Sequence, residues 1–364
     1  MNMDMEKQIA GVDVGGRMIG RGSDVYIIAE AGVNHDGDVS RAREMVHAAK
    51  ECGADAVKFQ IFSADRLASD DAPACDYQNH TEAPAKTQRE LLRALELESA
   101  ELADLRTLAA SLEIDFLATP FGLSELETLM RLSPPAIKIA SPDLVNAPLL
   151  SAAAKTGLPL LLSTGAATVD EIDEAVSTIS VDGASMRLIL LHCVSAYPTE
   201  PVHARLGCIH ALEQRFSVPV GFSDHTLDHS FGILAVSAGA VLLEKHLTLD
   251  AAGDGPDHFF SLEPASFKRY VDGARQAANI YGDGALGLHP CEEQIRLRSR
   301  GGIVAARDIA KGCTLTPDDL LVQRPGVGIP PNRWNDVIGC AAAADISSGR
   351  RLAWEMLEPL VTSA

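Results

Sequence analysis

The chain has 364 residues, long enough for one large domain and a small one. Asp and Glu outnumber Lys and Arg by 50 to 31, and the net charge of −19 argues against nonspecific nucleic-acid binding and docking on an anionic membrane. A composition 46% hydrophobic and 5% aromatic suits a soluble α/β protein, and no stretch approaches the ~20 apolar residues of a membrane span.

Met1 to Gln8 is charged and lacks an apolar signal core. The seven cysteines, at positions 52, 75, 193, 208, 291, 313 and 340, are scattered without a C-x-x-C. They look like reduced thiols, and the expected compartment is the cytoplasm. Residues 9–26 read as a hairpin turned at Gly15-Gly16, with Val12, Val14, Met18 and Ile19 around it. The two glycines also invite a nucleotide-loop reading, but no G-K-[ST] follows and no strand-to-helix context surrounds them.

From residue 27 a beat begins. Apolar runs fall at Ile27–Ala29, Ala56–Phe59, Phe116–Ala118, Ala136–Ile139, Leu158–Leu162, Leu188–Leu191, Val218–Gly221 and Val241–Leu243. Each is apolar on successive residues, as a strand buried on both faces should be. Helical signals separate them. Ala42, Met45, Val46 and Ala49 recur at helical spacing, and Ser124 with Glu127 and Thr168 with Glu171 read as capping boxes. Leu227 to Gly239 reads as one helix, and Glu263-Pro264 opens another over Phe267 to Ile280. This alternation predicts a (β/α)8 TIM barrel over residues 1–282 rather than an open doubly wound sheet. The long insert 63–111 on a βα loop reads either as a cover over the active face or as a mobile decorative loop. Residues 283–300 read as a linker, and 301–364 as a small β-rich second domain.

Barrel enzymes work at the C-terminal ends of their strands. The predicted rim carries Glu30, Lys58 with Gln60, Thr119, Lys138 with Ser141, Ser163-Thr164-Gly165, His192 through Tyr197, Ser223 with His225, and Glu244 with His246. The two histidines follow neighbouring strands of one βαβ unit, so their imidazoles can grip one divalent cation. The plainer reading is a hydrogen-bonded pair near a loop. Lys58 and Lys138 sit in otherwise apolar strand ends, where an unpaired ammonium is costly. They are either buried partners of Glu30 and Glu244 or, with the hydroxyls of Thr119, Ser141, Ser163 and Ser223, an anion site. A Schiff-base lysine is a third reading.

The motifs Ile28–Gly37, Val57-Lys58-Phe59-Gln60, Ala118-Thr119-Pro120-Phe121 and Ile137–Ser141 resemble those of the N-acetylneuraminate (sialic acid) synthase family, the nonulosonate synthases. So do Leu162–Gly165, Ser195–Pro198, Gly221–Thr226 and Glu244–Thr248. The tail, with Ala306–Ile309, Lys311-Gly312, Arg324-Pro325-Gly326 and Val337-Ile338-Gly339, is similar to the antifreeze-like (SAF) domain of those enzymes.

The resemblance implies condensation of phosphoenolpyruvate with an open-chain 2-acetamido-mannose-type sugar such as N-acetylmannosamine. It implies a divalent cation, Mn2+ first, with Mg2+ or Co2+ as alternatives, held by His225 and His246. It implies phosphoenolpyruvate binding by Lys58, Thr119, Lys138, Ser141, Ser163, Ser195 and Ser223. Glu30 would handle the attacking water or a sugar hydroxyl, and Glu244 would orient ligands beside the metal. Gln60, Tyr197 and Asp257 would touch the sugar. Arg324 would reach the sugar from the partner subunit of a domain-swapped homodimer. Ser195 stands where some sialic acid synthases carry asparagine, which leaves the exact sugar open, and Tyr77-Gln78 leans toward the sialic or legionaminic branch. The rival expectations are another phosphoenolpyruvate-using or Schiff-base aldolase on the same barrel, and a non-catalytic carbohydrate-binding protein.

Overall fold

A computed structural model describes residues 9–73, 87–181, 184–282 and 285–359. The chain divides into two compact units, Met1–Gly284 and Ala285–Ala364.

The first unit is built on an 8-stranded parallel sheet. Its strands are β1 (Tyr26–Gly32), β2 (Ala56–Ile61), β3 (Asp115–Pro120), β4 (Ile137–Ile139), β5 (Leu160–Ser163), β6 (Leu188–Cys193), β7 (Val220–Asp224) and β8 (Leu242–His246). Each pairs with its sequence neighbour, β8 closes back onto β1, and β3 and β4 lie side by side, so the sheet curls into a nearly closed barrel. Side chains alternate along each strand. Ile27, Ala29, Val57, Phe59, Phe116, Leu160, Leu162 and Leu243 face the surrounding helices in one large apolar layer. Tyr26, Ile28, Ala56, Leu117, Leu161, Ile189, Leu191 and Leu242 fill the interior.

The N-terminal hairpin pairs Val12–Val14 with Arg17–Ile19, turned by Gly15 and Gly16 at φ 62° and 87°. Positive φ at both central residues is what a two-residue hairpin turn of this hand requires, and glycine supplies it without strain. Val12, Val14 and Ile19 join the interior layer and plug the N-terminal end of the barrel, while Met18 is exposed. The opposite end is left for polar residues.

Most predicted helices form, with their sequence signals explained. Val39–Glu51 buries Ala42, Met45, Val46 and Ala49. Thr168 and Glu171 cap Val169–Ser180 reciprocally, and Pro264 starts the 18-residue helix Pro264–Tyr281. Two expectations fail. The helix at Leu123–Arg131 begins at Gly122 with no side-chain cap, so Ser124 lies inside it and forms no capping box with Glu127. Glu125, two positions before Glu127, is drawn instead to the Arg66 guanidinium at 2.9 Å. Leu227 to Gly239 is helical only over Phe231–Ser237, because the Asp228 carboxylate accepts from Ser230 N at 2.8 Å and holds the first residues in a turn.

The strands also run further than their apolar stretches. β1 continues through Glu30 to Gly32, and β8 through Glu244 to His246. The ladder does not stop where the hydrophobic pattern does, since backbone pairing is indifferent to what a side chain presents to the interior. Within the insert, Ser99–Ser111 packs beside Val39–Glu51 as a barrel helix. Ala64–Leu67 and Gln88–Ala94 form a small apolar cluster with Val33, Phe62 and Phe121, residues that leave β1, β2 and β3. This part of the insert therefore rests on the C-terminal rim. Gly37, at φ 75°, lets the Ala94 carbonyl approach so closely that a Cβ would collide with it.

The second unit pairs Gly302–Ala305 with Leu320–Gln323 and Ala341–Ala342 with Leu357–Glu358, both antiparallel. Ile303, Leu315, Leu320, Ile329, Val337 and Leu352 form its core. The stretch read as linker carries a helix, Glu293–Ser299.

Candidate active site

The same alternation that fills the barrel with apolar side chains places a polar layer above them. Two residues beyond Ile28, Ala56, Leu117, Ala136, Leu161, Leu191, Gly221 and Leu242 come Glu30, Lys58, Thr119, Lys138, Ser163, Cys193, Ser223 and Glu244, and all are buried. Every strand of the barrel contributes one of them.

Along the chain of contacts Glu30–Lys58–Glu244–Lys138 the charges alternate in sign. The Lys58 ammonium lies 2.5 Å from Glu30 Oε2 and 3.6 Å from Glu244 Oε2, and donates to Thr119 Oγ1 at 3.0 Å. The Lys138 ammonium lies 3.7 Å from Glu244 Oε1 and donates to Ser163 Oγ at 2.7 Å and to the Ile139 carbonyl at 3.1 Å. Ser223 donates to Glu244 Oε1 at 2.9 Å, and Gln60 Nε2 donates to Glu30 Oε1 at 3.4 Å. Both lysines thus have carboxylate partners, as the salt-bridge reading expects, and both also sit beside hydroxyls, as the anion reading expects.

Burial pushes the Glu30 carboxyl up to about 7, with the Lys58 charge pulling the other way. A group balanced there can take up or release a proton near neutrality. Burial opposes the charge of Glu244 too, but Lys138 and Lys58 together hold its pKa below the ordinary carboxylate value. For Lys58, burial is outweighed by Glu244 and Glu30 and its pKa rises, whereas for Lys138 burial prevails and its pKa falls.

Above this layer His225 and His246 face each other with ring centroids 5.5 Å apart. The Tyr197 ring lies 4.5 Å from that of His225 and 5.1 Å from Phe260, which in turn lies 4.9 Å from His246. His225 Nδ1 is 3.1 Å from the Val194 carbonyl. A hydrogen bond there fixes Nδ1 as the protonated nitrogen and leaves Nε2 as the ligating one. His246 Nδ1 is buried without a hydrogen-bond partner, 3.8 Å from Asp257 Oδ2. Burial, reinforced by the surrounding lysine charges, keeps the His246 pKa well below its ordinary value, so its ring is neutral, the form that binds a cation. Burial pushes the Asp257 carboxyl up to about 6. Two imidazoles, one with an orphaned nitrogen, above two carboxylates fit a divalent cation that keeps open positions. Among the described residues no group of three or more His, Cys, Asp or Glu is placed to hold a metal ion, so any cation here would rest on the two imidazoles alone.

A polar cradle opens beside Lys138. Gly165 N donates to Ser141 Oγ at 3.0 Å, and a Cβ on Gly165 would come 2.8 Å from Ser141 Oγ and 2.9 Å from Cys193 Sγ, with Ser195 Oγ nearer still. Glycine is needed there to leave the hydroxyls room.

The structure therefore gathers Glu30, Lys58, Gln60, Thr119, Lys138, Ser141, Ser163, Ser195, Tyr197, Ser223, His225, Glu244, His246 and Asp257 at one end of the barrel. Arg324 lies in the second unit, exposed, with its carbonyl 3.4 Å from Arg351 Nη2. Tyr77-Gln78 falls outside the described residues. His192, read as a rim residue, instead faces outward, stacks on Phe222 and bonds the Ala204 carbonyl at 2.8 Å through Nε2. Its neighbour Cys193, within the stretch read as rim but given no role, faces inward, 3.8 Å from His225 Nδ1. The alternation shows why, since Ile189, Leu191 and Cys193 share one strand face. Unanticipated are the buried Asp224–Lys245 pair and the bonds of His258 to Thr248 (2.6 Å) and Asp36 (3.0 Å), which fasten the loops beside Asp257.

Comparison with known proteins places this arrangement. Residues 45–285 match the NeuB family and residues 300–358 the SAF domain. The chain belongs to the NeuB family. It is 40% identical to N,N'-diacetyllegionaminic acid synthase of Legionella pneumophila, over 93% of this chain and 96% of that protein. The N,N'-diacetyllegionaminic acid synthase of Campylobacter jejuni is 37% identical over 86% and 94%. The crystal structure of N-acetylneuraminic acid (sialic acid) synthetase from Leptospira borgpetersenii, in complex with citrate, superposes with a TM-score of 0.72 at 34% identity, covering 78% of this chain and 94% of that one. The NeuB match begins within the first helix and includes both histidines and both lysines of the site, while Glu30 precedes it. Among the described residues no helix is long and apolar enough to cross a membrane.

Proposed function

We propose that this chain is a metal-dependent nonulosonate synthase that joins phosphoenolpyruvate to an open-chain 2-acetamido-mannose-type sugar and releases phosphate. The observation that carries the reading is the layer of two ammonium and two carboxylate groups directly beneath two facing imidazoles, at the end of a NeuB-family barrel. The names of the relatives as legionaminic and sialic acid synthases support the chemistry. The two diacetyllegionaminic acid synthases favour a diacetamido sugar as the acceptor, since a product with two acetamido groups needs an acceptor that brings them.

C3 of phosphoenolpyruvate attacks the sugar aldehyde carbon, water adds at C2, and phosphate leaves by C–O cleavage. His225 and His246 would hold the cation, Mn2+ first, with Mg2+ or Co2+ as alternatives. When bound, it supplies Lewis acidity at the aldehyde oxygen. Lys58 and Lys138, with Thr119, Ser163 and Ser223, bind the carboxylate and phosphate of phosphoenolpyruvate, and the cradle of Ser141, Ser195 and Gly165 receives phosphate oxygens. Glu30, poised near neutrality, takes the proton of the attacking water. Glu244 spaces the lysines and orients the ligands above them. Tyr197, Gln60 and Asp257 contact the sugar. The working form is a cytoplasmic homodimer in which Arg324 of the second unit reaches the partner's sugar.

One observation favours a second reading. Burial lowers the pKa of Lys138, as a Schiff-base lysine requires. Borohydride added with substrate would trap such an intermediate on Lys138, and absence of trapping during turnover removes it. The test of the main reading is phosphate release from phosphoenolpyruvate with a panel of 2-acetamido and diacetamido hexoses, products weighed by mass spectrometry. The expected product is a nine-carbon acid whose mass is acceptor plus phosphoenolpyruvate plus water minus phosphoric acid. Sugar binding without phosphate release would mark a carbohydrate-binding protein instead.

A further inference from the structure

The strand positions facing the helices are apolar along β1 to β5, from Ile27 to Leu162. β7 and β8 depart from this. Ser223, Glu244 and His246 turn into the barrel, and the residues between them, Asp224 and Lys245, turn away into the layer under the helices. The two are register partners across the ladder, with Lys245 Nζ 3.3 Å from Asp224 Oδ2 and both side chains 0% exposed. No substrate can touch them.

Their other bonds converge on the chain around His225. The Asp224 carboxylate accepts from Thr226 N at 2.8 Å, and Lys245 Nζ donates to the Thr226 carbonyl. The His225 carbonyl accepts from Thr199 N at 2.9 Å. Lys245 immediately precedes His246. One ion pair therefore ties the residue before His225 to the residue before His246 and grips the peptide that follows His225. The Tyr270 ring, 5.9 Å from Lys245 Nζ, lies against the pair's outer side, where Gly232 makes room for it: a Cβ there would meet the ring at 3.0 Å.

Burying two charges is expensive, and an apolar pair of similar volume is often as stable or more so. Stability alone gives no reason for an ion pair here. An apolar pair cannot, however, set register or hold the direction of the 224–226 peptide. We propose that Asp224 and Lys245 are a positioning pair that sets the separation and direction of the His225 and His246 imidazoles from behind the barrel wall. The inference rests on the proposal that those imidazoles hold the metal.

The test uses Asp224→Asn with Lys245→Met in one full-length chain, which removes both charges and keeps an acceptor for Thr226 N. Two readouts are taken: Mn2+ affinity by electron paramagnetic resonance, and the ring signals of histidines labelled at Cε1 in the metal-free protein. The expected result is an unfolding midpoint near that of the parent chain, Mn2+ affinity about 10–100-fold lower, and displaced or broadened signals from His225 and His246 alone. Lys245→Arg, which keeps both charges and alters only the reach between them, is the second variant should the double one fold poorly, and is expected to move the same two signals less. Parent-like ring signals and Mn2+ affinity in a folded variant would reduce the pair to packing. If the parent chain takes up no Mn2+, the metal reading falls, while the metal-free ring signals still decide the positioning role.

Discussion

Lys58 and Lys138 look equivalent in the sequence, but their surroundings make them unequal. Lys58 touches both Glu30 and Glu244, whereas Lys138 touches Glu244 alone. Removing Lys58 leaves two buried carboxylates facing each other without the cation between them, and breaking a buried pair in this way costs about 3–5 kcal/mol. Removing Lys138 leaves Glu244 still partnered by Lys58. Lys58→Met should therefore lower the denaturation midpoint clearly more than Lys138→Met, measured by circular dichroism at pH 7. Both should weaken phosphoenolpyruvate use at least ~10-fold, since each charge-assisted contact contributes about 1.5–3 kcal/mol. Equal stabilities for the two variants would show that Glu30 does not depend on Lys58 for its partner. Normal phosphoenolpyruvate use by either would mark that lysine as structural. The sequence alone left the ion-pair and anion-site readings as rivals. Only the distances show that one lysine can be both a carboxylate's partner and a hydroxyl's neighbour.

At the level of elements, what was legible followed from local rules. The Gly15-Gly16 turn, the Thr168–Glu171 capping box and the eight-strand beat depend on backbone conformation and alternation, which neighbouring residues largely settle. What was not legible depended on partners far away in sequence. Ser124–Glu127 has capping-box spacing, yet Gly122 starts the helix and Arg66, from the insert, claims Glu125. Asp224 and Lys245 are 21 positions apart, and only the β7–β8 register makes them a pair. The second unit contains a cap of the legible kind. Asp319 accepts from Thr316 N and Oγ1 at 2.8 and 2.6 Å and pairs with Arg307 at 2.6 Å. The Thr316 hydroxyl, then Arg307, hold its carboxyl down at about 2. A depressed folded pKa means stability that is fully present above the unfolded value near 4 and lost as pH falls through about 2. Both tryptophans, Trp334 and Trp354, lie in this unit, so tryptophan fluorescence reports its unfolding selectively. Asp319→Asn should cost the unit about 1 kcal/mol at pH 7 and flatten the fall in its midpoint between pH 4 and 2. A variant whose midpoint follows the parent's through that window would show that the pH dependence comes from other carboxylates.

For the whole molecule the open matter is how the second unit serves the barrel. Arg324 lies in that unit, exposed and flanked by Gln323 and Pro325-Gly326. Its plain reading is a solvated surface arginine, the usual fate of the residue. In a homodimer that exchanges its second units, this arginine would be lent to the neighbouring subunit's barrel. If Arg324 serves the partner's sugar site, Arg324→Ala and His225→Ala should each be nearly inactive, for different reasons in different places. The first chain has an intact barrel and lacks the arginine it would lend. The second has a disabled barrel and still lends its arginine. In a mixed dimer the intact barrel of the Arg324→Ala chain receives the arginine of the His225→Ala chain, and one of the two sites works. Random exchange makes about half the dimers mixed, so activity should return toward about a quarter of the parent value. Native mass spectrometry verifies both the dimer and the exchange. If mixed dimers form and no activity returns, the arginine serves its own barrel, where both lesions fall in different sites and neither can be complemented: the Arg324→Ala barrel lacks its arginine and the His225→Ala barrel lacks its histidine. Rebuilt activity therefore separates the two arrangements.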